Sequence, residues 1–112
     1  MRFVPLCSGS SGNATYIEAG NARLLIDAGL SCRRITELMG EVGADPRALD
    51  AIFVTHEHID HIRGISVLSR KYHIPVYANA DTWAAMETAL AGVYPSERCV
   101  FGERLPHLLA LT

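Results

Sequence analysis

The chain has 112 residues, a formal net charge of −2 and a hydrophobic fraction of 49%. That length accommodates one small domain, and its interleaved charges lack the positive excess typical of proteins that coat nucleic acids or membrane surfaces. No apolar run reaches the roughly 18 residues of a membrane span, and the N-terminus lacks the features of a secretory signal. Three unevenly spaced cysteines without a Cys-x-x-Cys motif indicate free thiols, which favours a cytoplasmic location.

The first part of the chain predicts antiparallel strands. Apolar and alternating patterns indicate strands at residues 3–7, 14–18 and 23–27. A serine- and glycine-rich turn at 8–13 separates the first two, and Gly20-Asn21 forms a tight turn between the second and third.

From residue 31 onward the pattern alternates between helices and strands. The predicted elements are a helix capped by Ser31, a short helical turn at Asp45-Pro46, a strand at 51–54, a helix after Gly64, a strand at 74–78, a helix capped by Asp81 with an apolar stripe through Trp83, Met86 and Leu90, and a strand at 99–101. Pro75 near the start of the fifth strand favours an edge position in the sheet. This order of elements predicts an α/β fold.

The run Thr55-His56-Glu57-His58-Ile59-Asp60-His61 carries the chemistry of the chain. On extended backbone, His56 and His58 face the same side, roughly 7 Å apart, so they can converge on one ion. Asp60 and His61 follow as the chain turns and can face a second ion. Imidazole and carboxylate ligands suit Zn²⁺ best, with Mn²⁺ and Fe²⁺ as alternatives. The run begins where a buried strand ends, which is where ligand sites form in α/β sheets.

Other interpretations of the histidines fit the sequence less well. The zincin motif requires a second histidine where this chain has Asp60, so Glu57 is not expected to act as a zincin-type base. His73 lies at a predicted helix-to-strand junction and is expected at the surface. His107 lacks any ligand-like context and is not expected to bind metal.

With these motifs in view, the chain resembles the metallo-β-lactamase-fold hydrolases. The similarity rests on residues 55–61, on the upstream Leu25-Ile26-Asp27-Ala28-Gly29 and on the order of elements around them. The opening residues 6–13 and the stretch 74–86 are similar to the YycJ/WalJ-type branch, whose members are regarded as metal-dependent exonucleases. The resemblance covers about residues 1–101, and the tail 102–112 is atypical.

The resemblance implies the N-terminal half of an αββα sandwich, a mixed sheet with flanking helices, in a single incomplete domain over residues 1–112. It implies two divalent cations, one held by His56 and His58 and the other by Asp60 and His61. It assigns Asp60 a catalytic role in orienting the attacking hydroxide. It assigns Asp27 the role of supporting the ligand loop, residues 55–61, through hydrogen bonds.

The implied activity is that of a metal-dependent phosphodiesterase or exonuclease acting on DNA or RNA. Related enzymes cleave thioesters or lactams with the same loop, so a small-molecule hydrolase stays open. The family's later ligands are absent from this sequence, so the chain alone is expected to bind metal weakly, and its status as an enzyme is open. The third interpretation is a non-catalytic half-domain that binds metal or docks a complementary C-terminal half or a second copy; no membrane partner is expected.

Overall fold

The computed structural model describes residues 1–9, 12–56, 58–87 and 92–101. Over these ranges one mixed sheet contains β1 (Arg2–Cys7), β2 (Ala14–Ala19), β3 (Ala22–Ile26), β4 (Ala51–Phe53), β5 (Val76–Ala78) and β6 (Arg98–Val100). The helices are α1 (Cys32–Glu41), α2 (Ile59–Ile62), α3 (Ile65–Tyr72) and α4 (Ala80–Ala85), with 3₁₀ turns at Pro46–Ala48 and Pro95–Glu97.

The strands lie side by side in the order of the sequence. β1, β2 and β3 pair antiparallel, and β3, β4, β5 and β6 pair parallel. The predicted α/β fold with a mixed sheet and flanking helices is therefore confirmed. Because β3 and β4 are parallel neighbours, their carboxyl ends meet at one edge of the sheet, and the residues that follow them are brought together there.

The two faces of the sheet are covered differently, because successive strand residues point to opposite sides. One face carries Leu25, Ile52 and Val76, which are fully buried in the main core. Two helices contribute four buried side chains to that core, namely Ile35 and Met39 of α1 and Ile65 and Leu68 of α3. Burial stabilises each such side chain by about 1.5–3 kcal/mol.

The opposite face carries a smaller cluster around Leu24, Ala51 and Tyr77. The rings of Phe53 and Tyr77 meet edge to face with centroids 5.5 Å apart, an arrangement that aromatic pairs favour. Burial raises the pKa of the Tyr77 phenol, so this side chain stays neutral over the physiological range. At the margin of the same face Phe3 is 64% exposed.

Two predicted helix starts are confirmed, and one is wrong. The side chains of Ser31 and Asp45 cap α1 and the first 3₁₀ turn as expected. The helix α4 is capped by Asn79, whose Oδ1 accepts from the Thr82 N–H at 2.7 Å. Asp81 lies inside the first turn of α4, where its carboxylate still favours the helix dipole.

The predicted edge position of the fifth strand is also wrong, because β5 lies between β4 and β6. Pro75 precedes the strand, and its carbonyl accepts from the Ile52 N–H at 2.9 Å. Pairing of β4 with β5 therefore does not require the backbone N–H that proline lacks. His73 is exposed as expected. Leu90, His107 and the tail 102–112 lie outside the described residues.

The three cysteines are free thiols, as predicted. In the described ranges, no helix combines the length and the apolar character needed to cross a membrane.

Candidate metal centre

Three segments of the chain meet beneath the ligand loop and are joined by backbone hydrogen bonds. The Asn13 N–H donates to the Asp60 carbonyl at 2.7 Å, and the Ala28 N–H donates to the His61 carbonyl at 2.8 Å. The Gly64 N–H donates back to the Ala28 carbonyl at 2.7 Å. The end of the first turn and the segment after β3 therefore hold α2, which carries Asp60 and His61, on both sides.

Two glycines permit this close approach. A Cβ atom on Gly29 would lie 1.7 Å from the Asp60 carbonyl oxygen, and one on Gly64 would lie 2.2 Å from the Leu30 carbonyl oxygen. Both neighbours are backbone atoms, so no side-chain rotation relieves the clash. The position of α2 therefore depends on the absence of a side chain at these two residues.

Asp27 lies directly after β3 and is 4% exposed. Its Oδ1 accepts from the Thr55 N–H at 2.8 Å, and its Oδ2 accepts from the Thr55 hydroxyl at 2.5 Å and from His61 Nδ1 at 2.7 Å. Its backbone adopts φ 62°, a left-handed conformation that aspartate tolerates better than most residues. A buried carboxylate needs such partners, and these three connect β3 to both ends of the ligand loop.

The hydrogen bonds of Asp27 determine which nitrogen of each imidazole is free. Because the Thr55 hydroxyl donates its single proton to Asp27, its oxygen accepts from His56 Nδ1–H at 2.9 Å. His61 Nδ1–H donates to Asp27 directly. These bonds place the proton of a neutral imidazole on Nδ1 in both residues, which leaves Nε2 as the nitrogen that can bind a metal ion. Thr55, to which the sequence analysis gave no role, links the carboxylate to His56.

The predicted ligands lie near one another but at unequal distances. The His56 ring lies 4.7 Å from the His61 ring and 6.2 Å from the His58 ring, centroid to centroid. His61 Nε2 lies 3.7 Å from Asp60 Oδ2. Asp27, His56 and His61 each offer one ligand atom within 4.8 Å of the others, whereas the predicted ligands His58 and Asp60 lie outside that group. Neutral imidazole nitrogens beside a carboxylate are the donors that Zn²⁺ prefers, so these residues fit a divalent cation.

Asn13 connects the serine- and glycine-rich turn to this cluster. Its Nδ2 donates to Asp60 Oδ2 at 3.1 Å, to the Asp60 carbonyl at 3.1 Å and to the Gly9 carbonyl at 3.0 Å, and it lies 3.4 Å from His61 Nε2. Its Oδ1 accepts from the Gly9 N–H at 3.2 Å. The sequence pattern places Asn13 in a turn and indicates no part in the site, because Asp60 and His61 lie 47 and 48 residues further along the chain.

Comparison with known proteins shows the family of this chain. A model of the metallo-β-lactamase superfamily matches residues 8–103. The chain belongs to the metallo-β-lactamase superfamily. Membership of that superfamily implies divalent-metal binding, and Asp27, His56 and His61 form a candidate centre for it.

Two curated relatives are similar to most of this chain. Exodeoxyribonuclease WalJ of Streptococcus pneumoniae is 51% identical over 102 residues, covering 89% of this chain and 38% of the relative. Exodeoxyribonuclease YycJ of Bacillus anthracis is 42% identical over 101 residues, covering 90% of this chain and 38% of the relative. The expected resemblance to the YycJ/WalJ-type branch is confirmed, and the chain spans well under half the length of either relative.

The structure is also similar to a B3 metallo-β-lactamase described as having an active-site glutamic acid. The TM-score is 0.69 at 27% sequence identity, and the match covers 87% of this chain and 43% of that one. The strands and helices described here therefore correspond to part of a metallo-β-lactamase domain.

Proposed function

We propose that this chain is the metal-binding part of a metal-dependent phosphodiesterase that acts as an exonuclease on nucleic acid. The observation that carries the proposal is the pair of imidazoles whose Nε2 atoms are freed by Asp27 and Thr55 beside the Asp60 carboxylate. The similarity to two proteins named as exodeoxyribonucleases supports a nucleic-acid substrate, with DNA as the first substrate to assay and RNA as the second.

The proposed centre holds two divalent cations, with zinc first and manganese or iron as alternatives. His56 and His58 would hold one, and Asp60 and His61 the other. When bound, the cations lower the pKa of a bound water and polarise a phosphoryl oxygen. Asp27 and Thr55 keep the imidazoles in the binding tautomer. The Asp60 side chain, 30% exposed, is accessible to orient the attacking water, which is its proposed catalytic role.

We further propose that residues 1–112 form an incomplete domain. Each cation would receive two side chains from the ligand loop, whereas a catalytic zinc usually has at least three protein ligands. The chain also spans only 38% of the length of its WalJ and YycJ relatives. The missing groups would come from a complementary C-terminal segment or from a second copy of the chain. The three free thiols support a cytoplasmic location.

A complementation assay tests this function. The 112-residue chain is mixed with the segment of the S. pneumoniae relative that follows the matched region, and zinc or manganese is added. Single-stranded DNA, RNA, a thioester and a β-lactam are assayed side by side. We expect nucleotide release only when both pieces are present, and its loss on chelation.

Two substitutions in the ligand loop and one matched control make the assay specific. His58→Ala and Asp60→Ala are each expected to reduce nucleotide release at least 100-fold. His73→Ala removes an exposed imidazole outside the loop and is expected to leave it unchanged. Activity that survives both loop substitutions would show that the loop is not the site.

Small-molecule hydrolysis is the second candidate, because the fold is shared with a metallo-β-lactamase at 27% identity. The thioester and lactam arms of the same assay decide between the two. Cation binding without turnover of any substrate in any mixture would instead support a non-catalytic half-domain.

A further inference from the structure

We propose that Asn13 is a positioning residue, which fixes the Asp60 carboxylate beside Nε2 of His61 and so prepares both side chains for one cation. The inference rests on the proposed metal-dependent function. Through Asn13, the serine- and glycine-rich turn at 8–13 contributes to the site. Neither residue spacing nor the ligand motif identifies Asn13 as part of it.

The hydrogen bonds of the Asn13 carboxamide allow only one orientation. Its Nδ2 faces three oxygen acceptors, the carbonyls of Gly9 and Asp60 and the Asp60 carboxylate, while its Oδ1 faces the Gly9 N–H. Rotation of the amide by half a turn would place its oxygen against three oxygens and its nitrogen against an N–H donor. The donor side of Asn13 is therefore fixed toward Asp60.

The Asp60 side chain needs such a restraint because the helix that carries it, α2, does little to fix its position. The helix α2 has four residues, and the Asp60 side chain is 30% exposed. In the described part of the chain, its carboxylate accepts a hydrogen bond from Asn13 Nδ2 at 3.1 Å, and its Oδ2 lies 3.7 Å from His61 Nε2. An aspartate without the Asn13 bond would lose rotamer freedom at the moment of cation binding, and the affinity would fall accordingly.

The distances match a shared cation. Two ligand atoms on one tetrahedral zinc lie about 3.4 Å apart, close to the 3.7 Å between Asp60 Oδ2 and His61 Nε2. Asn13 Nδ2 approaches both atoms, at 3.1 Å and 3.4 Å. Its N–H groups supply the partial positive charge that holds two acceptors close together before a cation does.

The first test needs no metal. The side-chain NMR signals of the Asp60 carboxyl carbon and the His61 ring nitrogens are compared between the 112-residue chain and Asn13→Ala. Asn13→Ser, whose hydroxyl is too short to reach Asp60, is the second variant if the alanine chain does not fold. Ser8→Ala, an exposed change in the same turn, is the control. We expect both Asn13 variants to shift the Asp60 and His61 signals and the control to leave them in place.

The second test measures zinc affinity by competition with a chromogenic chelator. Asn13→Ala is expected to weaken zinc binding about tenfold, the lower end of the effect of losing a residue that orients a ligand. In an Asp60→Ala background the same change is expected to have no further effect, because Asn13 acts through Asp60. In a His58→Ala background the tenfold loss is expected to persist. A purely structural role would reduce affinity equally in all three backgrounds.

The outcomes separate this inference from the proposed function. Unchanged Asp60 and His61 signals in Asn13→Ala overturn the inference whatever the zinc result. Altered signals with equal zinc affinity overturn the role in cation binding. Failure of the wild-type chain to bind zinc even when the complementary segment is present overturns the proposed function by itself, and the metal-free NMR comparison still decides whether Asn13 holds Asp60.

Discussion

The two halves of the ligand loop differ in how firmly the rest of the protein holds them. In the inner half, Asp60 and His61 are partly buried in α2 and are bonded to Asn13, Asp27 and the segment after β3. In the outer half, His56 and His58 are exposed. Among the described residues, the single side-chain bond to the outer half is that of the Thr55 hydroxyl with His56 Nδ1.

Under the proposed arrangement of two cations, this difference means that the folded chain prepares one position much more completely than the other. The inner half has two ligand atoms at a separation suited to one ion before any ion is bound. The outer half has two imidazole rings 6.2 Å apart whose convergence requires movement or further ligands. We therefore expect the first equivalent of zinc to bind at the inner half.

The largest expected effect comes from breaking the support of the inner half at Gly29. Gly29→Ala would place a Cβ 1.7 Å from the Asp60 carbonyl oxygen, and relief requires α2 to move. We expect the free energy of unfolding to fall by about 3 kcal/mol or more, measured by urea denaturation. Gly40→Ala is the matched control, because a Cβ there, in the last turn of α1, meets no atom within 4 Å, and it should stabilise by at most about 0.5–1 kcal/mol. Equal effects at both glycines would show that α2 is not held as described.

A direct comparison of the halves comes from removing one imidazole from each. His61→Ala leaves the buried Asp27 carboxylate without one of its three hydrogen bonds, and we expect a loss of about 1–3 kcal/mol in the metal-free chain. His58→Ala removes an exposed ring, and we expect a change within about 0.5 kcal/mol. Urea denaturation in the presence of a chelator measures both. Similar losses for the two variants would contradict the proposed asymmetry.

The link between the halves is the Thr55 hydroxyl. Thr55→Val keeps the side-chain shape and the backbone N–H bond to Asp27 but removes the hydroxyl between Asp27 and His56. We expect about 1 kcal/mol of destabilisation. We also expect the His56 ring to lose its fixed tautomer while His61 retains it. Ring-nitrogen NMR shifts report both residues in one spectrum, and an unchanged His56 signal would exclude the link.

The smallest expected effect lies away from the ligand loop. The Arg2 guanidinium, hydrogen-bonded to Glu18 across β1 and β2, lowers the pKa of that carboxyl below its usual range. A lowered folded-state pKa adds stability that is present above about pH 4.3 and is lost as the pH falls through the folded-state pKa. Between pH 5 and pH 3 the melting temperature of the wild-type chain should therefore fall more than that of Glu18→Gln. Parallel pH curves for the two chains would contradict this, and zinc affinity at pH 7 should be the same in both.

The parts of the fold that depend on local pattern were predictable from the sequence. Alternation and turn residues predict the hairpin around Gly20, and capping residues predict the helix starts at Ser31 and Asp45. The cap of α4 was misassigned because Asn79 and Asp81 are both good capping residues in one short segment. The edge position expected from Pro75 was wrong because strand order depends on pairing with β6, which the local sequence does not encode.

The candidate site likewise has parts that the sequence predicts and parts that it does not. The ligand loop and the nearby Asp27 are recognisable by residue type and spacing. The parts played by Thr55 and Asn13 are not, since they depend on contacts across 28 and 47 residues and on the left-handed backbone of Asp27. Such contacts appear only once β3, β4 and α2 are assembled around the glycines that let them approach.

The most direct test of the central claim is X-ray diffraction at the zinc absorption edge from crystals of the chain grown with zinc. The predicted result is an anomalous peak about 2.0–2.2 Å from both His61 Nε2 and a carboxylate oxygen of Asp60, with any second, weaker peak between His56 and His58. An ordered ligand loop with no peak near these four side chains, in crystals that contain excess zinc, would contradict the account.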